Sequence, residues 1–364
     1  MARLEISGLC KGWDFPVIDR MDLVVEEGEF FVIVGPSGIG KTTLLRLIAG
    51  LEQPDAGTIR IGDADITRLP PYRRPVAMTF ESYALYPHMT VFENIASALR
   101  ARGRDKSAID RTVHDVARLL HIEELLDRRP GEISGGQKQR TALGRTLVAE
   151  PEAFLLDEPI SHLDARIRHE LREQFHLLEE LRRVATLYVT HDYSEALSLG
   201  DRIGVMGAGN LVQVGTAREV FETPRTLFVA QHLGQPAINA VPAGLAAVDG
   251  ALRAHAEAGT FAFTVHHGHV EHVAGAAAGI VAGIRPQHIQ VVEGDAHGEC
   301  VNARVEIYEA LGATGVLVVD AGGVSLTVTT PPESSFEPGQ PVRLALDAAS
   351  FLYFDRASGR NLMV

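Results

Sequence analysis

The sequence predicts an α/β core built on a buried parallel sheet, followed by a small all-β domain. Three observations carry this. Phe31-Val32-Ile33-Val34 is an unbroken apolar run of strand length, and it leads into Gly35-Pro36-Ser37-Gly38-Ile39-Gly40-Lys41-Thr42, a complete G-x-x-x-x-G-K-[ST] loop; Leu44, Leu45, Leu47 and Ile48 follow at helical spacing. Two more strand-like runs, Ala153 to Asp157 and Thr186 to Thr190, alternate with helical stretches. Beyond about residue 236 the pattern changes to short strands separated by glycine turns.

Taken in order, Leu4-Glu5-Ile6 and Met21 to Val25 read as a small antiparallel sheet leading to the loop strand. Trp13, the single tryptophan, lies between them in Lys11-Gly12-Trp13-Asp14, and reads equally as a residue closing that sheet or as an aromatic face that stacks on a base. In the loop, glycines let backbone N–H groups curl round phosphate oxygens at a helix N-terminus, Lys41 can reach terminal phosphates, and the Thr42 hydroxyl can ligate Mg²⁺. Residues 54–75 are turns and short strands, and Val76 to Phe80 is a strand. Glu81 to His88 follows as an aromatic loop, either an exposed contact surface or a segment tucked onto the core. Residues 90–128 carry Val91, Ile95, Leu99, Ile109, Val113 and Val116 at helical spacing, a helical insertion between strands.

Ser134-Gly135-Gly136-Gln137 opens another helix with an N-cap serine and two glycines, a second candidate anion grip, although these residues alone favour an ordinary capped helix. Ala153 to Leu156 ends in Asp157-Glu158-Pro159, where Asp157 suits a second Mg²⁺ anchor and Glu158 can deprotonate an attacking water. Arg166 to Leu181 is a charged amphipathic helix. Thr186 to Thr190 ends at His191-Asp192, and His191 matters only if it shares a sheet edge with Asp157. Arg202–Met206 and Leu211–Val214 form a hairpin, helices over 216–233 complete the first domain, and 234–237 is a linker. Strands are expected at 260–265, 279–284, 301–307, 316–319, 324–328 and 342–346, a barrel-like set. His266, His267, His269 and His272 lack a carboxylate or cysteine framework and read as exposed histidines rather than a metal site.

The 364 residues allow two domains with separate cores. A net charge of −13 argues against a nucleic-acid partner. Cys10 and Cys300 stand in no metal spacing and read as thiols of a reducing compartment. No apolar run has the ~18 residues of a membrane span, and no signal-peptide core follows Met1, so a cytosolic protein is expected.

These motifs, in this order and spacing, resemble the ATPase subunits of ABC transporters, and within them the carbohydrate-importer type that serves maltose and glycerol-3-phosphate. Tyr83 to Val91, Gly144-Arg145-Thr146-Leu147, Gly283 to His288 and Phe351 to Asp355 strengthen the resemblance, which runs from end to end. It implies a P-loop NTPase cassette at 1–235, with a RecA-like core, an antiparallel β subdomain and a helical subdomain at about 88–150, and an OB-like regulatory domain at 236–364. It implies ATP and Mg²⁺, with Trp13 on adenine, Gly35 to Thr43 on the phosphates, and Thr42, Glu81 and Asp157 at the metal. Glu158 would be the catalytic base and His191 the γ-phosphate contact, while Ser134, Gly136 and Gln137 would contact the γ-phosphate of ATP held by a second ATPase subunit and Asp164, at the same nucleotide interface, would communicate across it. Further partners implied are transmembrane permease subunits and, indirectly, a solute-binding protein, at the cytoplasmic face of the inner membrane. The chain departs from the family pattern at Glu81, where Gln is usual, at Ile133 for Leu and at His162 for Asn. A carboxylate at 81 puts a charge beside the γ-phosphate and raises the alternatives of a heterodimer or a weakly hydrolysing regulatory subunit.

Overall fold

The structure, a computed structural model, describes residues 2–364 except 81, 162, 179, 180, 182, 277, 278 and 293–299. It divides into two compact units, Met1–Glu219 and Val220–Val364.

In the first unit, β1 (Leu4–Gly12), β2 (Pro16–Val25), β4 (Ala56–Ile61) and β5 (Ala64–Asp65) form an antiparallel sheet in the order β2-β1-β4-β5. The second sheet contains β3 (Phe30–Val34), β6 (Val76–Thr79), β7 (Ala153–Asp157), β8 (Ala185–Thr190), β9 (Arg202–Gly207) and β10 (Asn210–Gly215), in the order β10-β9-β3-β8-β7-β6. Its pairings are parallel except β9 with β10. Every residue of β3, β7 and β8 is buried, which is why these strands read as continuous apolar runs instead of alternating ones. Leu4, Ile6 and Leu23 of the antiparallel sheet share one core with Ile33, Leu155 and Leu187 of the parallel sheet. Leu44, Leu45, Leu47 and Ile48 of α1 (Lys41–Ala49) join it. Arg74 closes the C-terminal end of α1, donating from Nη1 to Leu47 O and Ile48 O at 2.8 Å each.

The helical insertion consists of α2 (Val91–Ala101), α3 (Lys106–Leu119) and α4 (Gly135–Leu147). Thr90 and Glu93 form a capping box at the start of α2. Gly144 lets these helices meet, since a Cβ there would lie 3.2 Å from side-chain carbons of Leu120 and Val116. The amphipathic helix expected over 166–181 is α5 (Ala165–Leu177), whose Phe175 packs its ring 6.4 Å from Phe30.

The second unit is two five-stranded antiparallel sheets. One runs β13-β12-β11-β14-β20 over Ala262–Thr264, Ala251–Ala256, Asn239–Val248, Ile280–Ile284 and Leu352–Asp355. The other runs β15-β19-β16-β17-β18 over Ile289–Val292, Pro341–Leu346, Cys300–Ala310, Gly315–Asp320 and Ser325–Thr330. Phe261, Phe263, Ile284, Leu317, Leu344, Phe351 and Tyr353 fill the core between them. The strands at 239–248 and 251–256 are absent from the sequence expectation. Asn-Ala-Val-Pro-Ala-Gly-Leu-Ala-Ala-Val carries alanine, proline and glycine, all poor strand formers, and pairing on both sides decides its conformation.

Packing places the division at Glu219/Val220, where the sequence suggests 235/236. The helix Leu227–His232 supplies Ala230 to a cluster with Ile238, Val281 and Phe354. Arg285, buried, donates to Phe221 O and Leu233 O and lies over the Phe221 ring. Segment 220–233 therefore belongs with the β unit. Of the histidines, His267 and His272 are exposed, but His266 and His269 are half-buried with ring centroids 5.0 Å apart. Among the described residues no His, Cys, Asp and Glu group is arranged to hold a metal.

Candidate active site

The parallel sheet delivers three turns to one edge: the loop after β3, Glu158 after β7 and His191 after β8. Ligands of open α/β sheets bind at this carboxyl-end edge. Gly35 is required by close approach, because a Cβ there would sit 2.6 Å from Met206 O. Gly40 has φ +110°, and it begins α1 without a side-chain cap or an acidic first turn. An N-terminus without a side-chain cap or an acidic residue is the kind of helix start that suits an anion.

Lys41, 6% exposed, folds back so that Nζ donates to Gly35 O at 2.8 Å and Pro36 O at 3.0 Å. Thr42 Oγ1 donates to Asp157 Oδ1 at 3.2 Å. Asp157, 2% exposed, is tied to the neighbouring strand by its own N–H, which donates to Thr79 Oγ1 at 3.0 Å. Glu158 has φ +45°, in the left-handed region that costs a glutamate of order 1 kcal/mol or more. Hydrogen bonds hold its backbone there: its N–H donates to Val189 O at 2.9 Å, and its carbonyl accepts from Gln139 Nε2 at 2.9 Å, Ser161 Oγ at 3.1 Å and Ser161 N–H at 3.3 Å. Its Oε2 meets His191 Nδ1 at 2.8 Å.

A cavity of about 510 Å³ opens on this edge, lined by Trp13, Phe15, Val17, Ser37, Gly38, Gly40, Lys41, Thr42, Thr43 and Glu158. Trp13 is 61% exposed and Phe15 68% exposed at its rim. Lys11 Nζ lies 5.2 Å from the Trp13 ring centroid. Of the predicted residues, Gly35, Pro36 and Ile39 shape the loop without lining the cavity, and Ile39 packs against the core.

The structure does not bring Ser134, Gly136, Gln137 or Asp164 to this cavity. Ser134 caps α4, its N–H donating to Gln137 Oε1 at 2.8 Å while Gln137 N–H donates to Ser134 Oγ at 3.3 Å. Asp164 caps α5 through Ile167 N–H at 3.0 Å and faces another hollow beside His121, Arg166 and Glu170. Glu81 and His162 lie outside the described residues. Sequence reasoning missed Phe15, Val17 and Gln139. Phe15 carried a signal, a second aromatic two residues from Trp13 in a turn; Gln139 carried none, because its bond to Glu158 spans 19 residues.

Residues 18–161 match the family described as ABC transporter, and residues 282–354 match the TOBE domain. A sn-glycerol-3-phosphate import ATP-binding protein, UgpC, of Yersinia enterocolitica is 41% identical over 366 residues, covering all of this chain and 99% of the relative. A sulfoquinovosyl glycerol transport ATP-binding protein, SmoE, of Agrobacterium fabrum is 38% identical, covering both chains completely. A solved dimeric bacterial ABC transporter cassette superposes with a TM-score of 0.55 at 26% identity, covering 59% of this chain and 99% of that one. The first of these matches spans the glycine loop at 35–42 and the acidic strand end at 157–158, the second lies in the β unit, and the chain belongs to the ABC transporter family as an ATP-binding subunit.

Proposed function

We propose that the chain hydrolyses ATP to energise import of a carbohydrate, polyol or polyol phosphate, as one of two ATPase subunits docked on membrane permease subunits. The observation that carries this is the Glu158–His191 pair at 2.8 Å, at the edge of the cavity where Lys41 and the α1 N-terminus converge. The adenine stacks on Trp13, with Phe15 beside it. The α1 N–H groups and Lys41 take the phosphates. The Glu158 carboxylate accepts a proton from the attacking water, and His191 orients Glu158 and reaches the γ-phosphate.

The Thr42 hydroxyl and Asp157 carboxylate, oxygen donors 3.2 Å apart at an uncapped helix start, suit a hard divalent cation. They would hold Mg²⁺, which when bound supplies positive charge against the phosphate oxygens. Glu81 would be a third oxygen donor. Ser134, Gly136, Gln137 and Asp164 stand at exposed helix starts away from this cavity, which supports their serving nucleotide on a second subunit. The import assignment rests on the relatives' names, two of which specify glycerol-containing solutes. None of the described helices is long and apolar enough to cross a membrane; the import assignment carries with it peripheral attachment through the permease, at the cytoplasmic face.

Glu158→Gln tests the chemistry. It preserves ATP binding and lowers turnover at least about hundredfold, the contribution of a general base. Hydrolysis within a factor of about three of wild type by that variant overturns the assignment.

A further inference from the structure

The active-site edge has a buried acid behind it. Glu195, on the helix Tyr193–Leu199, is 1% exposed, and its Oε2 accepts from Tyr188 Oη and Thr190 Oγ1, each at 2.8 Å. Tyr188 and Thr190 alternate along β8 and so share a face. Burial pushes the Glu195 carboxyl above its ordinary value, while the two hydroxyls partly offset that. An apolar side chain would fill such a place at lower cost, so the carboxyl is explained by what it holds.

What it holds is the turn that carries His191. The Thr190 hydroxyl has one proton, given to Glu195, and its lone pairs accept Asp192 N–H at 2.9 Å. Asp192 in turn caps the helix, Oδ1 accepting from Ser194 N–H at 2.7 Å and Ser194 Oγ at 2.6 Å. Both chain neighbours of His191 are thereby tied to one hydroxyl whose orientation Glu195 sets. The His191 side chain itself is 52% exposed, so packing does not fix the ring that meets Glu158. Without Glu195 the Thr190 hydroxyl is free to turn, and the seat of His191 loosens.

We propose that Glu195 is a positioning residue for ATP hydrolysis, acting on His191 through Thr190. This rests on the roles given above to His191 and Glu158. A misplacement of about 1 Å at a reacting group can cost on the order of hundredfold, so the effect is large enough to read.

The test is a double-mutant cycle on ATP turnover in the full chain. Glu195→Ala lowers kcat about tenfold or more and leaves KM for ATP within about twofold, because the phosphate loop stands on other elements. In a His191→Ala background, adding Glu195→Ala changes kcat less than about twofold, since the residue it positions is gone. A purely structural residue would instead multiply its loss onto that of His191→Ala, and that result overturns the proposal while leaving the site assignment standing. Wild-type turnover by His191→Ala overturns the assignment, and this proposal with it. Should Glu195→Ala not fold, Thr190→Val and Glu195→Gln replace it: Val reproduces the loss, whereas Gln keeps an acceptor oxygen and stays within about threefold of wild type. Full activity of Thr190→Val overturns the proposal.

Discussion

Trp13 is the single tryptophan of the chain and stands at the rim of the cavity proposed to hold the nucleotide, so its fluorescence would report occupancy. ATP is expected to quench it. Trp13→Ala should weaken ATP binding by ~1–3 kcal/mol, roughly five- to 150-fold in Kd, with Trp13→Phe in between; calorimetric titration checks this. An unchanged Kd would return Trp13 to the role of closing the small sheet. Glu195 makes a second prediction at this scale. Its folded-state pKa is raised, so its contribution to stability is full below the unfolded value and is lost as pH rises through the folded one. Glu195→Gln, neutral throughout, should therefore gain in Tm relative to wild type on going from about pH 4 to pH 8. A constant difference across that range would contradict the assignment of a burial-raised carboxyl.

At the scale of elements, the loop after β6 bears on an alternative that composition leaves open. Its backbone is pinned, Tyr83 and Leu85 are half-buried, and the contact-surface reading stands as a proposal. Tyr83 and Ala84 have φ of +64° and +46°, and Arg145 on α4 donates to both carbonyls, at 3.1 and 2.7 Å. Asn94, fully buried on α2, accepts Tyr86 N–H at 2.8 Å and donates to Tyr86 O at 3.1 Å. Tyr86, Pro87 and His88 are left exposed. Asn94→Leu leaves the Tyr86 amide without its partner and should destabilise by about 1–3 kcal/mol in urea unfolding. Leu85→Asp, at a half-buried position of this loop, should leave basal ATPase intact and abolish stimulation by permease subunits. Loss of folding in that variant would show the loop to be structural instead of a docking surface.

For the whole molecule, the two cores predict two thermal transitions, of which only one moves with ATP. Since segment 220–233 packs with the β unit, a chain ending at Glu219 should fold and bind ATP. One ending at Gly234 would carry Val229 and Ala230 without Ile238, Val281 and Phe354, and should aggregate more readily. Size-exclusion chromatography of the two truncations separates the outcomes. Equal behaviour would place the boundary nearer the 235/236 suggested by the linker.

The phosphate loop, its strand and its helix were legible in the sequence because one contiguous stretch carries them, and their periods of two and 3.6 are local properties of the backbone. Asp157-Glu158 was legible for the same reason, as an apolar run ending in acids, and the ordered set of motifs then identified the family. Strands 239–248 and 251–256 were not legible, because alanine, proline and glycine have no strand preference until neighbouring strands pair with them. The linker at 235/236 and the packing division at 219/220 differ because polar linker composition shows where a chain can bend, whereas Arg285, more than 50 residues beyond Leu233 and Phe221, ties that segment to the β unit. The meeting of His191 with Glu158, 33 residues away, and the bond from Gln139 to the Glu158 carbonyl are products of strand order. So is the seat of Glu195 beneath the His191 turn, where a helix covers one face of β8. Local pattern determines which residues are candidates for the chemistry; only tertiary packing determines which of them touch, since a hydrogen-bond partner across a sheet leaves no periodic trace in either segment.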